Sequence, residues 1–251
     1  MRWWRACRHR RLRRRVAPCS RQRRLNLARQ RLAPFANVAK AAACIWVLAG
    51  TNGAGKSSVA GAFVRAAGGD YFNPDEVTRR ILETQPGISE STANSLAWME
   101  SLKRLQAAVK NRQDYWFETT LGGNTITATL ESALLAGLEV RMFYVGLKSP
   151  ELHIARVTAR VKRGGHDIPA EKIRERYDGS RRNLIRLLPR LTEVKVFDNS
   201  GDGDPATGKL PPLSLILHMR HGKIRNSIVP SQIPEWAKPI ITAALKSESS
   251  N

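Results

Sequence analysis

The glycine-rich stretch "GTNGAGKSS" at residues 50–58 constrains the fold more than any other part of the chain. It follows the apolar run "CIWVLA" and fits the pattern G-x-x-x-x-G-K-[ST]. In such loops the backbone N–H groups surround phosphate oxygens, the lysine reaches the β- and γ-phosphates, and the hydroxyl binds Mg²⁺. We therefore predict a strand, a phosphate-binding loop and a helix, with Ser57 as the Mg²⁺ ligand. The predicted nucleotide-binding residues are Gly50, Thr51, Asn52, Gly53, Ala54, Gly55, Lys56, Ser57 and Ser58.

Segments of strand length alternate with helical patterns through most of the chain. The five predicted strands are "CIWVLAG", "DYFNPDE", "DYWFETT", "EVRMFYVGL" and "EVKVFDNS". Alternation of this kind is typical of a parallel sheet layered with helices. We therefore expect an α/β protein with the three-layer P-loop NTPase/kinase fold. It would have a mainly parallel five-stranded sheet, a helical lid, and a small C-terminal hairpin and helix.

The helical segments carry periodic apolar positions. "SSVAGAFVRAAG" predicts a helix directly after the glycine loop, ended by two glycines. After "QPGISES", Trp98, Leu102, Leu105 and Val109 repeat at i, i+4, i+7 and i+11, which predicts one apolar stripe facing the core. In "AEKIRERYDGSRRNLIRLLPRL" the predicted apolar side consists of Ile173, Tyr177, Leu184, Leu188 and Leu191.

The charge is concentrated at the N-terminus. The chain has 251 residues and a net charge of +21, and its first acidic residue is Asp70. Residues 1–32 hold thirteen arginines and no acid. We interpret 1–39 as a basic arm that contacts nucleic acid or acidic lipid, as a targeting peptide, or as sequence upstream of the true start. Residues 40–200 form the predicted kinase domain, and 201–251 add a loop, a hairpin and a closing helix packed on it.

Several classes of protein are disfavoured. No apolar stretch approaches about 18 residues, so we expect no transmembrane helix. Three cysteines in no metal-binding or paired spacing favour a reducing cytoplasm. The chain has no N-K-x-D motif of a GTPase and no apolar strand ending in paired Asp-Glu, as an ATPase motor would have. Phosphoryl transfer to a small acceptor is therefore the favoured class of reaction.

The acceptor and the reacting groups are expected at the carboxyl ends of the strands, where parallel strands line one crevice. Asp75 follows the second predicted strand and is the candidate catalytic base, alongside Lys56. Its alternative role is to cap the helix that starts at "EVTRRIL". Glu118 and Thr120 close the third predicted strand and would contact the acceptor. Alternatively, Glu118 is simply solvated at the strand end.

An arginine-bearing helix follows the fourth predicted strand. Ser149 and Pro150 mark its start. Arg156, Arg160 and Arg163 share one face, while Ile154, Val157 and Val161 should pack on the core. The helix runs into Gly164-Gly165 and then His166, which suggests a lid that closes over phosphates and a hydrogen-bonding role for His166. The alternative is an ordinary solvated arginine face.

Together, "GTNGAGKSS", "FNPDEV", "FETTLGG", "FDNS" and the stretch from "SPEL" to "RRNL" resemble the zeta toxin-like family of P-loop kinases. The resemblance covers roughly residues 44–200. It implies transfer from ATP, with Mg²⁺, to a hydroxyl of UDP-N-acetylglucosamine. It also implies Lys56 and Ser57 for ATP and Mg²⁺, Asp75 as base, Glu118 and Thr120 for the acceptor, and arginines of 156–163 for the transition state. The segment "GGHDIP" resembles a solitary chromosomal branch, and an antitoxin is the partner that the family implies.

Two other functions stay open at this point. One is a nucleic-acid-associated ATPase or polynucleotide kinase that uses residues 1–33 to bind DNA or RNA. The other is a regulatory nucleotide binder that transfers no phosphoryl group. Salt-dependent nucleic-acid binding that stimulates ATP turnover favours the first, and tight ATP binding without transfer favours the second.

Overall fold

Segments rich in β-branched, aromatic and leucine side chains build a six-stranded sheet. The computed structural model describes residues 42–56, 71–165, 167–201 and 213–249. The sheet has the order β2-β1-β3-β4-β5-β6. Its strands are β1 (Cys44–Ala49), β2 (Tyr115–Thr119), β3 (Glu139–Gly146), β4 (Glu193–Asp198), β5 (Ser214–Arg220) and β6 (Lys223–Ser227). The mixed α/β architecture of the P-loop kinase fold is confirmed.

The number and direction of the strands correct the sequence-based prediction. Strands β1 to β4 are parallel, whereas β5 pairs antiparallel with β4 and β6 antiparallel with β5. The C-terminal hairpin therefore extends the main sheet, and the prediction of five strands was wrong. His221 and Gly222 join β5 to β6 with φ angles of 50° and 71°, the left-handed pair that a tight two-residue hairpin turn needs.

The second predicted strand is reduced to a single bridge. Phe72 pairs with Phe117 of β2, and the chain then enters a helix at Pro74. Asn73 caps this helix and Pro74 fixes a helical φ, so no further strand residue can form. The short connection still brings Asp75 to the carboxyl end of β2.

Six α-helices flank the sheet within the described residues. Their starts follow local signals: Ser89 caps the second helix, and Ser149 with Pro150 opens the fourth. The start at Ser149 and Pro150 is the one that the sequence predicts. The helix expected over 57–68 lies outside the described residues. The helices are α1 (Pro74–Thr84), α2 (Glu90–Asn111), α3 (Asn124–Leu135), α4 (Pro150–Val161), α5 (Ala170–Leu187) and α6 (Lys238–Ser249).

The apolar core alternates across β1. Ile45, Val47 and Ala49 face a large cluster that includes side chains of α2, α3, α5 and α6, while Leu48 faces a smaller cluster with Ala54. This two-sided burial explains why β1 is a continuous apolar run. The predicted apolar side of α5 is confirmed, because Ile173, Tyr177, Leu184, Leu188 and Leu191 are all buried.

The predicted stripe on α2 is wrong at Trp98. Leu105 is fully buried, but the buried line along the helix otherwise consists of small residues, among them Ala93, Ala97 and Ser101. Small side chains let α2 pack closely on its neighbours, and they rotate Trp98 out of the core. Its side chain is 45 % exposed.

The arm predicted for residues 1–39 also lies outside the described residues. Among the helices that are described, none combines the length and the apolar character needed to cross a bilayer.

Candidate active site

The phosphate loop starts where β1 ends, and glycine is required at two of its positions. Gly50 has a φ of 144°, and a Cβ there would lie 2.3 Å from the carbonyl oxygen of Val145. Gly53 has a φ of 80°, and a Cβ there would lie 2.6 Å from the carbonyl oxygen of His153. The loop is thus wedged between β3 and α4, and side chains at these positions would clash with backbone.

Lys56 and Glu118 form a buried pair at the mouth of this loop. The Lys56 ammonium donates a 2.6 Å hydrogen bond to the Gly50 carbonyl and lies 3.4 Å from Glu118 Oε1. Burial raises the pKa of the Glu118 carboxyl, an effect that the neighbouring Lys56 charge opposes. Oε2 of Glu118 is buried and makes no hydrogen bond within the described residues. The strand end therefore presents one carboxylate oxygen that is ready to accept a donor or a cation.

Asp75 occupies the second position of α1 and does not cap it. Asn73 is the cap, since its side chain accepts a 3.0 Å hydrogen bond from the Asp75 backbone N–H. The Asp75 carboxylate is 43 % exposed and lies 3.6 Å from Nη1 of Arg160. The alternative that Asp75 serves as the helix cap is therefore wrong, and its carboxylate is directed at the arginine helix.

One cavity of about 820 Å³ brings these groups together. Its walls include Asn52 and Lys56 of the phosphate loop, Asp75, and Glu118, Thr119 and Thr120 at the end of β2. Helices α1 and α2 form one side, and the opposite side is formed by Asp167, Ile168 and Pro169 with the first turns of α5. The cavity is large enough for a nucleotide together with a small acceptor.

His153 and Asn199 hold the phosphate loop from two sides. His153 lies on α4, is 1 % exposed, and its Nδ1 is 2.8 Å from the carbonyl oxygen of Asn52. Burial lowers the pKa of His153 to about 4, so the imidazole is neutral at pH 7 and Nδ1–H donates. The Asn199 amide, just after β4, donates a 2.8 Å hydrogen bond to the carbonyl of Ala54.

Arg176 of α5 reaches the same loop from the far side of the cavity. Its Nη1 donates a 2.8 Å hydrogen bond to Oδ1 of Asn52, and Thr51 Oγ1 donates to the Arg176 carbonyl at 3.4 Å. Burial lowers the pKa of the guanidinium, and the Asp75 charge partly offsets this effect. Arg176 therefore places a positive charge at the phosphate loop, where the charge of Asp75 also acts on it.

The predicted arginine face separates into three different environments. Arg160 approaches Asp75, as described above. Arg156 donates from Nη2 to the carbonyls of Asn199 and Gly201, at 2.9 and 3.1 Å. Neither Arg156 nor Arg160 is among the cavity-lining residues. Arg163 is exposed beyond the end of α4. Of the three, Arg160 approaches Asp75 and Arg156 is engaged with backbone, and the transition-state role stays a prediction.

The remaining predicted residues divide between the cavity and undescribed segments. Thr120 lines the cavity, and its Oγ1 accepts a hydrogen bond from the Gly122 N–H at 3.4 Å. The apolar side predicted for α4 is buried at Val157, while Ile154 and Val161 are only half-buried. Ser57, Ser58 and His166 lie outside the described residues, so their predicted contacts with phosphate, Mg²⁺ and acceptor stay predictions.

Sequence reasoning missed His153 and Arg176. A histidine between the apolar positions of a helix is usually a core residue, and Arg176 sits among many arginines in "RERYDGSRR". The usable signal was position: both residues lie in the "SPEL" to "RRNL" stretch, the most family-specific part of the sequence. Their spacing along the chain gave no sign that both would meet Asn52.

The cavity has donor chemistry that suits Mg²⁺. Mg²⁺ is commonly held by one or two carboxylates together with substrate phosphates and water. Glu118, with its unpaired buried oxygen, and Asp75 supply carboxylates on the same cavity. These two carboxylates beside the phosphate loop fit a Mg²⁺ ion that is also bound by the phosphates of the nucleotide.

The sheet order, the glycine loop and the cavity at the ends of the parallel strands define a P-loop kinase, an ATP-dependent phosphotransferase class. The zeta toxin family model matches residues 35–203, and the chain belongs to this family.

Relatives at the level of sequence and structure agree with this assignment. An uncharacterized protein of Haemophilus influenzae is 31 % identical over 128 residues, which is 51 % of this chain and 88 % of that protein. The AvrRxo1-ORF1:-ORF2 complex with ATP has a similar fold, with a TM-score of 0.57 and 15 % identity over 89 % of this chain and 70 % of that chain. A structure of the PezAT chromosomal toxin-antitoxin system of Streptococcus pneumoniae is also similar, with a TM-score of 0.51 and 13 % identity. The match covers 93 % of this chain and 98 % of that chain. At these identities the two solved structures show a shared fold.

Proposed function

We propose that this kinase transfers the γ-phosphoryl group of ATP, with Mg²⁺, to a hydroxyl of a small acceptor. The observation that carries the proposal is the placement of Asp75 and Lys56 on one cavity. Glu118, near the end of β2, lies on the same cavity and 3.4 Å from Lys56. The resemblance to the zeta toxin family supports a nucleotide sugar such as UDP-N-acetylglucosamine as the acceptor.

Each residue has a distinct task in the proposed reaction. Asp75 accepts the proton of the acceptor hydroxyl as its oxygen bonds to the γ-phosphorus. The bond from that phosphorus to the β–γ bridging oxygen breaks, and the electron pair leaves with ADP. Lys56 stabilises charge on the phosphate oxygens, while Arg160 and Arg176 supply positive charge near Asp75 and the loop.

The proposed Mg²⁺ site lies at the end of β2 beside the phosphate loop. Glu118, with the predicted Ser57 hydroxyl, would hold Mg²⁺. When bound, the ion neutralises charge on the β- and γ-phosphates. Glu118 is suited to this because its unpaired oxygen is buried at the strand end.

The test is acceptor-dependent ADP release by the full-length protein. ATP and Mg²⁺ are supplied with a metabolite panel that includes UDP-N-acetylglucosamine, and products are identified by mass spectrometry. Lys56→Met and Asp75→Asn should each remove most of the transfer. Glu76→Gln is the matched control, since Glu76 is the exposed neighbour of Asp75 and does not line the cavity. Wild-type protein that releases no ADP with any acceptor would contradict the proposal.

We further propose a protein inhibitor as a partner. The support is the family assignment together with the fold shared with a toxin-antitoxin system. Expression of the wild-type chain in a bacterial host should slow growth, and Asp75→Asn should relieve this. Equal growth with both versions would argue against toxicity and remove the need for an inhibitor.

A further inference from the structure

Helix α2 turns a polar face with one exposed aromatic ring toward the cavity. Ser91, Asn94, Ser95 and Trp98 all line it, at positions i, i+3, i+4 and i+7 of the helix. Trp98 is 45 % exposed, and Met99 beside it, which also lines the cavity, is 49 % exposed. An exposed indole at such a place offers a flat surface for a ligand ring.

The charge of this wall limits what can bind there. The cavity-lining residues that come from α1 and α2 include two carboxylates, Asp75 and Glu90, and no lysine or arginine. The described cations of the cavity lie elsewhere: Lys56 on the phosphate loop, and Lys172 and Arg176 on α5. An anionic group would therefore be attracted to the loop and α5 and not to the α1–α2 wall.

The polar side chains of the wall are set for hydrogen bonding to a neutral ligand. Thr78 donates a 3.1 Å hydrogen bond from Oγ1 to Oδ1 of Asn94, which links α1 to α2. Oδ1 of Asn94 keeps a second lone pair and its NH₂ group has two donors, so Asn94 can both accept and donate. The hydroxyls of Ser91 and Ser95, one turn apart, can donate or accept.

We propose that Trp98 stacks on an uncharged ring of the acceptor and that this wall is its ring-binding subsite. The ring is flat on one face and carries hydroxyl or amide groups, as a sugar or a planar heterocycle does. Any phosphates of the acceptor point toward Lys172 and Arg176. The inference rests on the proposed phosphotransferase function and specifies which part of the acceptor the α1–α2 wall selects.

Binding can be measured without turnover by tryptophan emission of the full-length protein. Uridine, glucose and UDP-N-acetylglucosamine are added to the wild type and to Trp98→Phe. We expect quenching in the wild type and its loss in Trp98→Phe, because the reporting indole is gone. Quenching by uridine identifies a heterocycle and quenching by glucose a sugar ring. Equal quenching in both proteins, or none in the wild type, would overturn the stacking role.

The charge requirement is tested with carboxylated counterparts of the same rings. Orotidine replaces uridine and glucuronic acid replaces glucose, so each pair differs by one negative charge. We expect the charged member to bind more weakly and Glu90→Gln to reduce the difference. Equal binding of both members would overturn the uncharged-ring requirement.

Kinetics separate ring recognition from catalysis. Trp98→Ala should raise the KM for the acceptor by about 5- to 100-fold, the range that loss of one aromatic stack produces, and leave the KM for ATP unchanged. Trp98→Phe should retain most of the affinity. Leu96→Ala is the control, since Leu96 is on the same helix, 36 % exposed and outside the cavity lining.

The outcomes distinguish failure of the ring-binding subsite from failure of the proposed phosphotransferase function. If the wild type transfers phosphate and Trp98→Ala has the same acceptor KM, the ring-binding subsite is wrong and the kinase function stands. If the wild type transfers to no acceptor but a ring still quenches Trp98 emission, the phosphotransferase function fails and the subsite stands.

Discussion

Arg176 Nη1 donates a 2.8 Å hydrogen bond to Oδ1 of Asn52, so helix α5 is fastened to the phosphate loop across 124 residues of sequence. The bond fixes both the loop side chain and the guanidinium. It also places a partly buried cation beside the loop, and the charge of Asp75 acts on this guanidinium.

Removing this cation should impair transfer more than binding. We expect Arg176→Ala to lower kcat by about 10²- to 10³-fold, the loss typical of one preorganised donor at a reacting centre, and to change the KM for ATP less. Arg176→Lys should recover little, since an ammonium lacks the planar fork. Steady-state ADP release measures the activity of both Arg176 variants. Arg174→Ala, an exposed arginine of the same helix, is the control, and an equal loss there would argue against a specific role.

Arg160 should matter for transfer and little for stability. Its pair with Asp75 is partly exposed and 3.6 Å long, and such pairs contribute about 0–1 kcal/mol. We expect Arg160→Gln to leave the urea midpoint nearly unchanged while transfer falls at least about tenfold, because a charge near the transferring group is lost. A large shift of the midpoint with unchanged kcat would show a structural role instead.

Replacing Arg156, in contrast to Arg160, should lower the stability of the fold. Its two hydrogen bonds to the carbonyls of Asn199 and Gly201 join α4 to the end of β4. We expect Arg156→Ala to reduce the free energy of unfolding by about 1–3 kcal/mol, as measured by urea denaturation, because two acceptors lose a charged donor. A change below that of Arg160→Gln would contradict this assignment.

Gly53 should tolerate no side chain. Gly53→Ala would place Cβ 2.6 Å from the His153 carbonyl at a φ of 80°, so loop and helix must move apart. We expect a destabilisation of about 1–3 kcal/mol and loss of ATP binding by calorimetry. Gly87→Ala is the matched control, since its φ of 94° is similarly strained but nothing lies within 4 Å. Equal effects would assign the cost to backbone strain alone.

His153 should make stability depend on pH in a defined window. Burial lowers its pKa in the folded protein to about 4, against an ordinary value of 6.5. Between these values the unfolded chain binds a proton that the folded protein excludes. His153 therefore reduces stability as pH falls from 6.5 to 4, by at most about 1.4 kcal/mol per pH unit.

The contribution can be isolated by substitution. His153→Asn keeps an N–H near the Asn52 carbonyl but does not titrate. The free energy of unfolding of this variant should fall less steeply with acid than that of the wild type, as measured by urea denaturation at pH 7, 6 and 5. Identical slopes would show that His153 is not held neutral.

The sequence predicts helix starts well where the start depends on the hydrogen bonding and φ angle of one or two residues. Ser149 and Pro150 mark a helix start through a hydrogen bond and a φ angle that involve only a few residues, and the structure confirms it. The pattern around Trp98 failed because periodicity shows that residues share a face without showing what that face meets. Here it meets a cavity in place of the core.

The sequence by itself determined that a glycine loop follows a buried strand, that Lys56 stands at its end, and that acidic groups follow neighbouring strand segments. These features depend on short-range backbone geometry and on the common edge of parallel strands. Only the tertiary structure decided which distant side chains complete the site. His153 and Arg176 both meet Asn52, 101 and 124 residues away, because the packing of α4 and α5 brings them there. That packing follows from burial over the whole core, which no local pattern contains.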